Sequence, residues 1–202
     1  MKKLLIIPAV VLLTGCFTKP ETPEDVALYT NQAPNNIRVN MEIGYSHSEL
    51  AVVEVVNNDV YINDNNGDEW NNSYFAHLKD GSYEYYKKDV KNNGDWASFV
   101  PVTTDRENPS TYDALCALTG EVSSMIANVF NIEAVNYNRY TGTEVINGEE
   151  TTIYVVSDFT YYLSKKAKMN MKILPADGLE SDWSVEVKSY STISAFTDSP
   201  SL

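Results

Sequence analysis

Cysteine is almost missing from this chain: Cys16 and Cys116 are the two present among 202 residues. Two thiols cannot build the disulfide framework on which small exported domains depend, and Cys116 reads as a buried structural thiol. Histidine is as scarce, with His47 and His77 alone. Neither stands in a metal-binding spacing such as HExxH or CxxC. Ser46 and Ser48 flank His47, but neighbours on a strand point to opposite faces and form no relay. Glycine-dependent signatures are missing too, whether a GxSxG elbow, a phosphate-cradling Gly-Lys loop or a dinucleotide-binding pattern. With no nucleophile, base and orienting group in a workable arrangement, we expect no enzyme, no catalytic residue, no metal and no cofactor.

Positive charge is in deficit: 15 Lys plus Arg face 28 Asp plus Glu, a net −13. Such a surface is repelled by nucleic-acid phosphate and by anionic headgroups, so no nucleic-acid partner and no basic membrane patch is expected. A membrane-spanning run is lacking as well. The apolar stretch Leu4–Leu13 is well short of the ~20 residues that a stable span needs.

What is present begins with that stretch. Lys2 and Lys3 precede it, and Leu13-Thr14-Gly15-Cys16 follows. The basic, apolar, small-residue order is that of a secretory signal peptide. The last four residues resemble the lipobox of bacterial lipoproteins. That resemblance implies cleavage after Gly15, a diacylglyceryl group on the Cys16 thiol, and a membrane anchor on the extracytoplasmic side. Phe17, where an aspartate retention signal would stand, permits outer-membrane sorting in a cell that has one. Residues 17–25, FTKPETPED, are polar with two prolines and read as a tether, with a short helix following from Pro23 through about Asn31. The expected organisation is a signal peptide over 1–15, lipidated cysteine and tether over 16–25, and one domain over 26–202. Loss of Lys2 and Lys3 with the leader would take the charge from −13 to −15.

A hydrophobic content of 43% with 14 tyrosines argues for a folded core. Ile37, Val39, Met41, Ile43 and Tyr45 alternate with Arg38, Asn40, Glu42 and Gly44, the period of a strand with one buried and one wet face. Strands over 50–56, 60–62, 74–79, 82–88 and 96–102 follow, with turns at Asn57-Asn58, Asp80-Gly81 and Asn92-Asp95. They form a meander of about six strands, with 63–72 a polar loop. Leu115, Leu118, Val122, Met125, Ile126 and Val129 then step by three and four, the stripe of an amphipathic helix capped by Ser110 or Thr111. Strands over 134–143 and 151–157 flank Asn147-Gly148. Residues 159–171 suit either a helix or a strand, and Trp183, Val185 and Val187 mark a late strand.

Two clusters could bind something. Asp59, Asp64, Asp68 and Glu69 crowd one stretch, but aligning Gly67 to the EF-hand glycine puts Ile62 at the first ligand position, so that motif fails. Tyr61, Tyr74, Tyr83, Tyr85 and Tyr86 offer either a stacking surface for sugar or peptide or cross-strand pairs that stabilise the sheet.

Residues Tyr140–Val156, YTGTEVINGEETTIYVV, carry Gly-x-Glu-x-x-Asn-Gly followed by Thr-x-Tyr-x-Val. This is similar to the hairpin of LolA-like and mycobacterial lipoprotein-type carriers. The resemblance implies an α+β fold: a strongly curved antiparallel sheet, half-barrel-like, covered on one face by one or two helices. It also implies an acyl chain or other hydrophobic ligand between the layers. Val39, Met41 and Ile43 would form one wall, and Leu115, Leu118, Val122, Met125 and Ile126 the other. The alternative is a surface protein-interaction, adhesin or sensory module with no small-molecule ligand.

Overall fold

The computed structural model describes residues 31, 33–44, 48–67, 69–102, 109–119, 124–133, 139–176 and 183–202. The expectations for the signal peptide, Cys16, the tether, the short first helix, His47 and Val122 lie outside these residues.

Strands dominate. The first meander is β1 (Ile37–Gly44), β2 (Ser48–Val56), β3 (Asp59–Asn65), β4 (Asn71–Lys79), β5 (Ser82–Asp89) and β6 (Ala97–Phe99). Two short helices follow, α1 (Thr111–Thr119) and α2 (Ser124–Asn128). The second meander is β7 (Arg139–Ile146), β8 (Glu149–Val156), β9 (Phe159–Ser164), β10 (Met169–Pro175) and β11 (Ser184–Thr192). Antiparallel pairing of β1 with β11 fuses the two meanders into one 11-stranded sheet, ordered β6-β5-β4-β3-β2-β1-β11-β10-β9-β8-β7.

Local chemistry explains most of these elements. In β1 the alternation read from the sequence becomes strict alternation of buried and half-buried side chains. Asn57 and Asn58 (φ 52° and 71°), Asp80 and Gly81 (52° and 84°), and Asn147 and Gly148 (49° and 84°) all adopt left-handed backbone. Two consecutive left-handed residues give the turn whose twist matches a tight hairpin, and Asn, Asp and Gly tolerate it best. Ser110 and Asp113 form a reciprocal cap on α1: the Ser110 amide donates to Asp113 Oδ2 (2.9 Å), and the Asp113 amide to Ser110 Oγ (3.2 Å). Two donors at the helix start are thereby satisfied.

The expected half-barrel is overturned. Among the described residues the sheet is open, with β6 and β7 at its two edges, and it is neither closed nor strongly curved. Helical cover is minor, 9 residues in α1 and 5 in α2. Residues 159–171, which suit either a helix or a strand, enter the β9–β10 hairpin and add no helical cover. Tyr161 and Leu163 point into the core while Thr160 and Tyr162 are half-buried, and Lys168 (φ 53°) closes the turn. The expected loop over 63–72 is also shorter. Asn63 Nδ2 reaches Asn71 Oδ1 (2.8 Å) and Ser73 Oγ (3.2 Å), so asparagine side chains stitch β3 to β4 beyond the apolar positions.

Both faces of the first meander are covered. On one, α1 lies over β3 and β4 and α2 touches β11. The opposite face, expected to be wet, carries residues 193–202. Four consecutive buried residues in β4, Ser73–Ala76, record this two-sided cover.

Candidate functional site

The residues proposed as ligand walls lie in the interior. Val39, Ile43, Leu115, Leu118 and Ile126 are fully buried, Met41 and Met125 nearly so, and all seven belong to one hydrophobic cluster. They fill one another's space, as protein interiors do. Neither groove described below is lined by any of them. Cys116 is half-buried, short of the fully buried position expected. Burial and the Cys116 thiol raise the neighbouring Tyr112 phenol above its ordinary pKa.

The larger groove, about 460 Å³, runs along the β5–β6 edge and is lined by Tyr83, Tyr85, Tyr86, Phe99, Val100 and Pro101 among others. Register puts Tyr85 opposite Phe99, and their rings meet edge-on at 6.2 Å. Tyr83 leans on Tyr85 (6.3 Å) and its hydroxyl donates to the Asn58 carbonyl (2.8 Å), which fixes the ring. Lys87 Nζ sits 5.6 Å above the Phe99 ring. Around the edge, Glu84 accepts from Lys79 (2.8 Å) and from Tyr86 (2.9 Å). These bonds hold the Glu84 carboxyl below its usual range and raise Lys79 and Tyr86. Beyond the rings Val100 and Val102 stand 81% and 84% exposed. Large apolar side chains are seldom so bare, and here they adjoin β6, which pairs with β5 alone among the described strands. The tyrosines thus divide: Tyr74, Tyr83 and Tyr85 pack inward as cross-strand partners, whereas Tyr61 packs on the opposite face.

A second groove of about 380 Å³ lies where the β7–β8 turn meets β11, among Asn147, Glu149, Met171, Lys188, Ser189 and Tyr190. Asn147 Nδ2 donates to the Val187 carbonyl (2.7 Å), and Tyr190 donates to Glu149 (2.6 Å). That bond and Lys166 lower the Glu149 pKa.

Asp59, Asp64 and Glu69 do not converge, and Asp68 lies outside the described residues. Asp59 accepts from the Leu78 amide (2.8 Å) and touches His77 Nδ1 (3.0 Å). Asp64 accepts from Trp70 Nε1 (2.9 Å), while its Oδ1 is buried without a partner among the described residues. Burial first, and then the Glu49 carboxyl beside it, push Asp64 up to about 8. Glu49 and Asp64 are diagonal neighbours on one sheet face, since Asp64 pairs with Ala51. Among the described residues no group of three His, Cys, Asp or Glu side chains could hold a metal ion. No described helix is long and apolar enough to cross a membrane.

Sequence reasoning missed the β6 groove because Val100 and Val102 read as strand residues. The partial signal was two prolines, Pro101 and Pro109, with aromatics and valines over 96–102 and no following hairpin partner.

No protein-family model matches the chain, and no curated protein matches it. Among solved structures it is similar to MucB in complex with MucA(peri), with 10% identity and a TM-score of 0.34 over 82% of this chain and 53% of that one. It is also similar to a Pseudomonas aeruginosa MucA/MucB complex, with 10% identity and a TM-score of 0.32 over 77% and 51%. The chain spans about half the length of the structures it matches.

Proposed function

We propose that this protein is a noncatalytic, lipid-anchored extracytoplasmic module that binds an extended, net-cationic segment of a partner protein along the β6 edge. The observation that carries this reading is the bare Val100–Val102 pair beside an aromatic groove and a strand that stands at the sheet edge among the described residues. A free edge offers backbone hydrogen bonds to an added strand, and the groove offers apolar contacts to alternate side chains. The chain's net −13 favours a cationic partner by steering its approach. Anchorage rests on the lipobox-like Leu13-Thr14-Gly15-Cys16. A lipid held between sheet and helices is the weaker reading, since the proposed wall residues pack against one another.

The test is selection of peptides against the full chain from a random displayed library, followed by titration into Val100→Asp and Val102→Asp variants. Burying one valine is worth about 1.5 kcal/mol or more, so each variant should bind the selected peptides at least tenfold more weakly, with unchanged thermal stability. Peptides that bind both variants as well as the parent, or a library that yields none, would overturn the proposal.

A further inference from the structure

The face opposite the helices carries a second surface, already filled by this chain. Residues 193–202 leave β11 with the Ile193 amide on the Asn36 carbonyl (3.0 Å) and cross the sheet without joining it. Phe196 stacks edge-on against Phe75 at 5.0 Å and lies 6.5 Å from Tyr61; Trp96 closes the same aromatic pocket, 6.2 Å from Phe75. Next to it the Thr197 amide donates to Glu54 Oε2 (2.8 Å), and the Thr197 hydroxyl donates to Glu54 Oε1. That hydroxyl also accepts from Arg38 (2.8 Å). Asp198 pairs with Lys88 Nζ (2.8 Å). The floor is thus a built recognition surface: an aromatic pocket, a buried carboxylate that takes an amide and a hydroxyl, and a lysine that takes a carboxylate.

The fit of the strap to this floor is shallow and incomplete. Of residues 193–202, Pro200 alone is buried, and Ile193, Phe196 and Asp198 are half-buried. Beneath them Trp96 Nε1 is a buried donor with no acceptor among the described residues. A segment tied by one backbone-to-backbone hydrogen bond, at Ile193, and otherwise through side chains opens locally at far less cost than the strands under it.

We propose that residues 193–202 are an internal pseudo-ligand, and that the groove formed by Arg38, Glu54, Phe75, Lys88 and Trp96 receives an extended partner peptide. The peptide has the same chemistry: an aromatic residue, then a hydroxyl residue, then an acid. An acceptor on that peptide within reach of Trp96 Nε1 would give it an advantage that the strap lacks. This surface lies on another face from the β6 edge, and the inference does not depend on that reading. A tethered strap competes at an effective concentration of about a millimolar, so a partner must displace it or find it loosened.

The experiment titrates a labelled synthetic peptide of residues 193–202 into the full chain and into a Phe196→Ala, Thr197→Ala variant, read by fluorescence anisotropy. The expected result is saturable binding to the variant at least tenfold tighter than to the parent, lost when the peptide's own phenylalanine is replaced by alanine. Absence of binding to a folded variant, or equal binding of both peptides, would overturn it. Hydrogen exchange on the unaltered chain gives a readout free of folding defects in the variant. The Thr197 amide should exchange at least a hundredfold faster than core amides of β3 and β4; exchange at their rate would sink the proposal. A concentration-dependent dimer of the parent that the variant abolishes would assign the groove to a second copy, and so also overturn it.

Discussion

Glu54 and Thr197, separated by 143 residues, meet through two hydrogen bonds, one from the Thr197 backbone amide and one from its hydroxyl. Glu54 is completely buried and its remaining partner is Arg38, 3.2 Å away. A carboxylate out of water must be paired and hydrogen-bonded, or it unsettles whatever buries it. The strap and the guanidinium therefore make the β2 strand tolerable as much as the strand holds the strap.

Removing Arg38 should leave Glu54 buried with its charge unopposed. Arg38→Ala is expected to destabilise by about 3 kcal/mol, and Arg38→Ala with Glu54→Leu to recover most of that loss. Urea unfolding of the single and double variants checks both; a double variant no more stable than the single would refute the account.

The Asp64 carboxyl, pushed up to about 8 by burial and by Glu49, keeps its proton in the folded chain where the unfolded chain has lost it. The folded state then binds more protons between about pH 4 and pH 8, so this site's contribution is complete at the acid end and fades as pH rises through 8. Asp64→Asn keeps an acceptor for Trp70 and cannot ionise. It should raise stability by about 2 kcal/mol at pH 9 and change little at pH 4. Melting curves at the two pH values decide it, and an equal effect at both would count against the assignment.

Asn170 is fully buried and its side-chain amide donates to the carbonyls of Asn128 (2.8 Å) and Asn131 (3.1 Å). It satisfies backbone acceptors at the end of α2, where the helix leaves carbonyls open. Asn170→Ala should cost about 2 kcal/mol by removing both bonds to these carbonyls, which leaves that of Asn128 only its 3.3 Å contact with the Asn131 amide. Asn170→Asp should cost more, since a carboxylate cannot donate to them; thermal unfolding of the two variants ranks them.

If Cys16 carries the anchor, Cys16→Ser should move the protein from the membrane to the soluble fraction of fractionated cells, with the fold unchanged by circular dichroism. Retention of the serine variant at the parent's level would remove the anchor from the proposed function.

The first strand and several hairpins were legible because their signals are local. Alternation in Ile37–Ile43 set which face is buried, and Asn57-Asn58, Asp80-Gly81 and Asn147-Gly148 marked hairpins by backbone preference. The helix stripe was legible as well, and Leu115, Leu118, Met125 and Ile126 all reach the core. Residues 159–171 stayed open between two readings because Phe159, Tyr162, Leu163 and Lys166 suit a helical step while the MNMKI stretch alternates like a strand, and pairing of β9 with β8 and β10 decided between them. The candidate site was less legible. Nothing local to Val100 or Val102 says that no further strand covers them, and Phe196 sits in a polar stretch that reads as a tail.

By itself, then, the sequence determined the acidic surface, the scarcity of thiol and imidazole chemistry, the lipobox-like leader and the antiparallel hairpins, all of which depend on composition or on neighbours a few residues apart. Tertiary structure alone decided that β1 pairs with β11, that the described strands form an open sheet, that Glu54 is buried beneath Thr197 and that Val100 and Val102 are exposed. The physical reason is range: hairpin and cap preferences are fixed within a turn of chain. A burial that joins residues 143 apart depends on how the whole sheet closes its faces against water.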